Sequence, residues 1–497
     1  MPFVNNVPFF SIFLAMLAGI LMPLVKSGKA ALRVTEFTAA IIGALSLWLM
    51  CATAATGESF TFMMGHFPAP WGNEVRSGSL EAMMALAFSI VMILSLEGGK
   101  RDMFKDISPQ KQGGYCLMIN LMMASLLALV YTNDMFTAYV FVEINAITAC
   151  ALVMARRHGH TLVAAIRYLV LSCVASGLFL MGITLLYGIT GQLLMPGMDA
   201  AVAALAKTGD YRLPLFVSTA LIVFSLGVKS ALFPFHGWLP SAYSSATTSA
   251  SALQSGLVSK GYIILLIKMI VRVFTIDTMK ELGILQVLFV MGLCGMIFCS
   301  IRALGEQNVK RMLGYSSAAQ VAYIFMGIGL GSVVGLVAAC YQILAHTFTK
   351  PMLFTSAGVL IGSGESRKKW AALRGTGRKN PLAGVAFTVG GLSLCGLPLL
   401  AGFAAKYYLA MASMDSPEKM LAVLLVLGGS SVLNAMYYLP GIVAIWYKAD
   451  EKALQPVVME RDWGFVVSTV VFLIFNVLLG VAIGPTVQLL ELGLGML

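Results

Sequence analysis

The stretch Lys229-Ser-Ala-Leu-Phe-Pro-Phe-His-Gly-Trp-Leu-Pro240 puts a lysine, two prolines and a glycine at the end of an apolar run. Proline removes a backbone donor and clashes with the preceding turn, so a helix entering at Leu213 is predicted to break here and free carbonyls near Lys229. The same ingredients return in Gly396-Leu-Pro-Leu-Leu-Ala-Gly-Phe-Ala-Ala-Lys406. Irregular backbone at membrane depth persists only where protein buries it or where it lines a wet cavity. The two breaks therefore point to an all-α polytopic membrane protein with a polar interior.

Composition agrees with that class. The chain has 497 residues, 59% of them hydrophobic and 11% charged, against about 25% charged in ordinary soluble domains. Mean hydropathy is +0.87. Apolar runs of about 20 residues, enough to cross a bilayer core, recur from Pro8 to Leu497 and leave no segment for a soluble catalytic domain. The net charge of +11 lies in short loops between apolar runs. It forms no continuous basic patch, so nucleic acid is excluded and the charges read as topology signals. The 8 cysteines are scattered singly, without CxxC or Cys/His ligand spacing, so iron-sulfur, zinc and structural disulfides are not expected. Phe9 to Val25 lacks a basic n-region and cleavage site and is taken as a retained first helix.

The runs map to about fourteen transmembrane helices, at 8–25, 35–55, 80–96, 113–130, 135–154, 164–187, 213–238, 247–274, 282–303, 313–333, 336–361, 382–409, 420–446 and 463–490. Alternate loops are rich in Lys and Arg: Lys26, Lys29 and Arg33; Lys100, Arg101, Lys105 and Lys111; Arg156 and Arg157; Lys310 and Arg311; Arg367, Lys368, Lys369, Arg374, Arg378 and Lys379; Lys448, Lys452 and Arg461. The positive-inside rule makes that set cytoplasmic and both termini external, in the inner (cytoplasmic) membrane of the cell. The loop after the seventh helix carries neither residue, although it falls on the inner side. The interrupted helices are the seventh and twelfth, with breaks at Pro234 and Pro398. Paired interruptions mark the binding region of inverted-repeat transporters, and an offset of five helices orients these two oppositely. The expected division is 1–112 for helices 1–3, 113–274 for a first inverted repeat of helices 4–8, 275–446 for a second of helices 9–13, and 447–497 for helix 14.

Glu143, Lys229, Lys260, Lys350 and Lys406 each fall within an apolar run. A charge near the bilayer midplane costs about 2.5 to 3.5 kcal/mol, on the order of 10 kcal/mol for the set unless pairing and water offset it. The expected use is an ion pathway; the bland alternative for Glu143, Lys229 and Lys260 is a structural ion pair between helices. Lysine suits proton transfer because a dry environment disfavours its charged form and a nearby carboxylate restores it. Movement of Glu143 relative to Lys229 would then switch the lysine between holding and releasing a proton. Lys406 has the alternative of snorkelling to the outer interface. His346 and Lys350 lie one turn apart and form a relay, or His346 is a hydrogen-bonded core residue. Lys310, Arg311 and Arg302 read most simply as topology anchors. Gly327-Ile-Gly-Leu-Gly331 has no flanking strand and is assigned to close helix packing.

Several stretches together carry a resemblance: Val140-Phe-Val-Glu143, Lys229 through Pro240, Ser251-Ala-Leu through Lys260, Asn308-Val-Lys310-Arg-Met-Leu-Gly-Tyr315-Ser-Ser317, His346 through Lys350, and Gly396 through Lys406. The chain resembles the antiporter-like proton-conducting subunits shared by respiratory complex I, Mrp-type sodium/proton antiporters and group 4 membrane-bound hydrogenases. The resemblance spans nearly the whole chain, most specifically from Asn133-Asp134 to Lys406. It implies fourteen core helices, two inverted five-helix repeats, a pair between Glu143 and Lys229, a central hydrated axis continued by Lys260, a link between the halves through His346 and Lys350, and a gate at Lys406. Arg167 stands where many relatives have lysine, and Gln320 where complex I relatives often have histidine. Arg167, His236, Lys310 and Asp134 complete the candidate set.

The expected function is proton movement along Glu143, Lys229, Lys260, His346, Lys350 and Lys406 in a multisubunit complex, most like the D-type Mrp subunit in a cation/proton antiporter or a ferredoxin-linked hydrogenase-type complex. Moving one charge against 100 mV costs about 2.3 kcal/mol, and no motif for a nucleotide, metal cluster or quinone supplies it. No cofactor, metal, catalytic residue, or redox or hydrolytic site is therefore expected in the chain. Partners must drive it: other antiporter-like and small membrane subunits, a redox arm with iron-sulfur subunits, or a sodium gradient acting through a neighbouring subunit. The alternatives are a complex I (NADH-quinone oxidoreductase) membrane-arm subunit and, from another class, a self-contained secondary transporter of an organic anion.

Overall fold

The fold comes from a computed structural model that describes residues 2–67, 72–156, 159–362, 369–448 and 462–497. Of the loop charges, Arg157, Arg367, Lys368, Lys452 and Arg461 lie outside the described residues. The chain opens with α1 (Pro2–Leu21) and α2 (Gly28–Thr56), then a hairpin of β1 (Phe60–Met63) and β2 (Glu74–Ser77) with Phe60 opposite Ser77. Four long helices follow: α3 (Ser79–Asp106), α4 (Pro109–Tyr131), α5 (Met135–Met154) and α6 (Gly159–Thr190). Next come α7 (Met195–Thr208), α8 (Arg212–Lys229), α9 (Leu239–Ser245) and α10 (Thr248–Leu253). A π-helical turn, Gln254–Val258, joins α10 to α11 (Ser259–Met269), and a second, Ile270–Phe274, follows it. The second half holds α12 (Ile276–Glu281), α13 (Ile284–Leu304), α14 (Val309–Gly329), α15 (Val333–Ile361), α16 (Thr376–Lys379), α17 (Pro381–Cys395), α18 (Ala401–Ala412) and α19 (Pro417–Trp446). The last elements are α20 (Trp463–Val481) and α21 (Ile483–Met496).

Local chemistry sets many of these boundaries. Asp134 caps α5 by accepting from the Thr137 amide at 2.6 Å, Asn308 caps α14 through Arg311 at 3.2 Å, and Ser332 caps α15 through Gly335 at 3.0 Å. Such caps satisfy amides that have no partner within the helix. The run 388–412 does not continue as one helix. Gly396 (φ +99°) ends α17 in a left-handed conformation open to glycine, and the chain restarts at Ala401.

Among the described residues, 11 helices are long and apolar enough to cross a membrane. The expected eighth, tenth and twelfth crossings do not meet that test, two because the helix is interrupted and one because it is polar. The eighth is divided by π turns, the twelfth by its break, and α14 carries Ser316, Ser317 and Gln320. Helices that touch protein on every side need no apolar surface, and α14 is buried along nearly its whole length. Burial separates centre from rim in the same way: 89% of the spanning window of α15 is buried against 28% in α19. The glycine triplet is a packing device as expected, with a methyl at Gly329 reaching the Phe289 backbone at 2.5 Å.

Some elements were not anticipated. The stretch 60–77 forms a hairpin, α7 is an additional 14-residue helix begun by Pro196, and the expected last helix bends at Ala482 into α20 and α21.

Candidate functional site

The first break places Lys229 as the last residue of α8, followed by Ala231 at φ +63° and a cis peptide before Pro234. The carbonyls just before Lys229 are in use. Val228 accepts the Trp238 indole at 3.3 Å, while the amides of Ser230 and Leu232 fold back onto Leu226 and Gly227 at 2.9 Å. Lys229 turns elsewhere. Its Nζ donates to Ser172 Oγ on α6 at 2.9 Å and lies 3.5 Å from Glu143 Oε1 on α5. The lysine side chain is 1% exposed and the glutamate 29%, so this pair joins an interior charge to a more open one.

Lys260, fully buried, bends back toward the π turn and donates to the Ser255 carbonyl and to Ser259 Oγ at 3.1 Å. π turns of this kind recur at functional sites. Ser255 Oγ meets Ser317 Oγ of α14 at 3.0 Å, and Ser317 donates to the Leu313 carbonyl at 2.8 Å. Lys350 donates to that same carbonyl at 3.1 Å and to the Tyr438 hydroxyl at 3.2 Å. A hydroxyl rung thus stands between the two buried ammonium groups. His346 is buried within electrostatic reach of both, and neither of its ring nitrogens makes a hydrogen bond among the described residues. No described protein group supplies the hydrogen bond that the core-residue reading of His346 needs. Gln342 donates to Gln320 at 2.7 Å nearby.

At the second break Lys406 lies in α18 and reaches back to the open end of α17. It donates to the carbonyls of Leu394 (2.8 Å) and Cys395 (3.1 Å) and to Ser431 Oγ (2.8 Å), with its ammonium 5.5 Å from the centroid of the Tyr323 ring. It points inward and does not snorkel. Last-turn carbonyls carry partial negative charge, which suits a cation.

The remaining candidates stand apart from this line. Arg167 is exposed on α6. Asp134 is the α5 cap described above. His236 follows the break, stacked on Phe233 at 5.6 Å. Lys310, read most simply as a topology anchor, is 5% exposed and donates to Thr248 Oγ1 at 3.1 Å, while Thr248 donates to Asp102. Pro234 sits within the first break and Pro398 on the exposed turn of the second.

Sequence reasoning missed a second buried ionic group. Lys268 is fully buried, lies 3.6 Å from Glu81 and donates to the carbonyls of Val130 (2.5 Å) and Thr132 (2.9 Å); Arg76 completes the group at 3.1 Å from Glu81. The signal was present, since Lys268 lies inside the expected eighth helix. Also missed were Ser172, Ser255 and Ser317, and the polar side chains of α19, none of which bears a charge. Among the described residues no three His, Cys, Asp or Glu side chains could hold a metal ion together. The arrangement is suited to holding and passing protons between amines, hydroxyls and one carboxylate.

Residues 132–432 match the family described as NADH:quinone oxidoreductase/Mrp antiporter, transmembrane. The chain is 33% identical over 392 residues to the N subunit of the NADH-quinone oxidoreductase of Desulforudis audaxviator, covering 78% of this chain and 76% of that protein. It is 26% identical over 491 residues to the D subunit of the Na(+)/H(+) antiporter of Alkalihalophilus pseudofirmus, covering 97% and 95%. A chain in the structure of the membrane-bound sulfane sulfur reductase, an archaeal respiratory membrane complex, superposes with a TM-score of 0.88 at 25% identity, over 99% of this chain and 97% of that one.

Proposed function

Because the chain belongs to the NADH:quinone oxidoreductase/Mrp antiporter transmembrane family and is an antiporter-like membrane subunit, we propose that it translocates protons within a multisubunit complex, along Glu143, Lys229, Lys260, His346, Lys350 and Lys406. The observation that carries this reading is the Lys229–Glu143 pair at 3.5 Å, beside a broken helix and accompanied by the buried Lys260 and Lys350 and the half-buried Lys406. Buried intramembrane charges that face protein rather than lipid mark ion routes. The proposal includes fourteen crossings, inverted repeats at 113–274 and 275–446 flanked by 1–112 and 447–497, and external termini in the inner membrane. Other antiporter-like and small membrane subunits are its partners, with a redox arm or a sodium gradient as the drive. An Mrp D-like place is the first reading. A place in an NADH-quinone oxidoreductase membrane arm is the second, favoured by the 33% identity to an N subunit of that enzyme.

The test is to purify the native complex in mild detergent, identify its subunits and reconstitute it, with wild type beside Lys229→Ala, in vesicles reporting internal pH. Redox subunits, with redox-driven proton movement lost in the variant, identify a redox pump. Small antiporter subunits alone, with sodium-driven exchange lost, identify an Mrp-type exchanger. Undiminished transport by a fully assembled variant overturns the pathway.

A further inference from the structure

Between Lys350 and Lys406 the interior is bridged by α19 and α14 side chains with no charge. The Lys350 ammonium donates to Tyr438 Oη at 3.2 Å; Tyr438 and Ser316 hydroxyls meet at 3.0 Å; Tyr437 Oη lies 3.0 Å from Ser316 Oγ and donates to Asn434 Oδ1 at 2.5 Å. Asn434 Nδ2 in turn donates to the Leu394 carbonyl at 3.0 Å, the same carbonyl that holds Lys406 at 2.8 Å, and stands 3.5 Å from the Tyr323 hydroxyl. Tyr438, Ser316, Asn434 and Tyr323 have no exposed surface, and Tyr437 is 4% exposed. In the structure Tyr437 donates to Ser316; once the Ser316 and Tyr437 hydroxyl hydrogens turn, each hydroxyl in the order Lys350, Tyr438, Ser316, Tyr437 has one neighbour to receive from and one to give to. That is the requirement for a proton relay, since a hydroxyl carries one hydrogen and accepts at its lone pairs. The run ends at a carboxamide, which accepts at oxygen and donates at nitrogen without exchanging one proton for another.

We propose that Tyr438, Ser316 and Tyr437 relay protons from Lys350 toward Lys406, and that Asn434 is the gate on that route. The inference rests on the proton-translocating reading above. The Lys350 ammonium passes a proton to Tyr438 as the Tyr438 proton moves to Ser316 and that of Ser316 to Tyr437. When Asn434 swings aside, the Tyr437 proton passes to a water molecule, which delivers its own to the neutral amine of Lys406. Lys350 ends as the amine, Lys406 as the ammonium, and each hydroxyl and the water keep their proton count.

The test uses the reconstituted native complex with Tyr437→Phe, Ser316→Ala, Asn434→Asp and Lys229→Ala. Phenylalanine keeps the ring and removes only the hydroxyl, and subunit recovery reports assembly. The expected result is a loss of driven transport of about a hundredfold in Tyr437→Phe and Ser316→Ala, the lower end of the range for a proton-transfer group. Asn434→Asp, which places an exchangeable carboxyl at the gate, is expected to raise the passive proton leak of undriven vesicles several-fold, a readout that a merely structural network would not move. Transport within about twofold of wild type in both hydroxyl variants, with Lys229→Ala inactive, overturns the relay alone. An unchanged leak in assembled Asn434→Asp overturns the gate. Full transport by Lys229→Ala instead removes the underlying reading.

Discussion

Lys229 closes the helix segment before its break, whereas Lys406 lies in the segment after its own. The first lysine leaves the broken backbone to Trp238 and to folded-back amides, and takes a carboxylate and a serine hydroxyl from neighbouring helices. The second makes no ion pair among the described residues and instead occupies the open end of α17, with two backbone carbonyls and a serine hydroxyl. A buried ammonium can therefore be kept by a charge that moves with a side chain or by dipoles built into the chain trace. The former responds to a change in one residue's position or protonation. The latter changes only if two helix segments move apart.

The sharpest way to break this comparison is Glu143→Gln. It leaves Lys229 a neutral partner of similar shape, and proton transport should fall by roughly a hundredfold, the scale of a lost proton-transfer group, with subunit recovery unchanged. Transport above half of wild type would mean that charge pairing is not what distinguishes the first site. Next in size is Gly402→Ala. Its methyl would collide with the Ser393 carbonyl oxygen, forcing α18 away from the α17 end that Lys406 occupies. A loss of about 1 to 3 kcal/mol is expected from such overpacking, visible as a lower melting temperature of the purified complex. Gly237→Ala, at the first break, meets nothing within 4 Å and should change stability by about 0.5 kcal/mol or less. Equal melting shifts in the two variants would contradict the contrast. The smallest expected effect is that of Ser431→Ala, which removes one of three partners of Lys406. About 1 kcal/mol is at stake in one such hydrogen bond, so initial transport rates should drop only a few-fold.

Both breaks were legible because proline and glycine act through local backbone geometry, which a sequence displays directly. So were Lys229, Lys260 and Lys350, because a lysine inside an apolar run stands out before its partners are known. What those lysines touch was not legible. The Ser255–Ser317 contact joins residues 62 positions apart, and Ser316–Tyr438 residues 122 apart. A serine or tyrosine in an apolar helix is unremarkable until its partner is known. The partner of the Val228 carbonyl was hidden for the same reason, since Trp238 folds back over ten positions to meet it. Lys268 is a different lesson. It satisfied the same criterion as Lys260 and was passed over, and Glu81 in the expected third helix would have supplied its counter-charge.

That ionic group has a mechanical consequence for the helix that carries Lys260. At the Lys268 end, α11 is tied to two carbonyls at the end of α4 and to Glu81, itself held by Arg76. At the other end it meets the wider, weaker coil of the Gln254–Val258 turn. The Lys268 end of α11 is thus held by charge, whereas the turn at its Lys260 end meets α14 through a contact between two neutral hydroxyls.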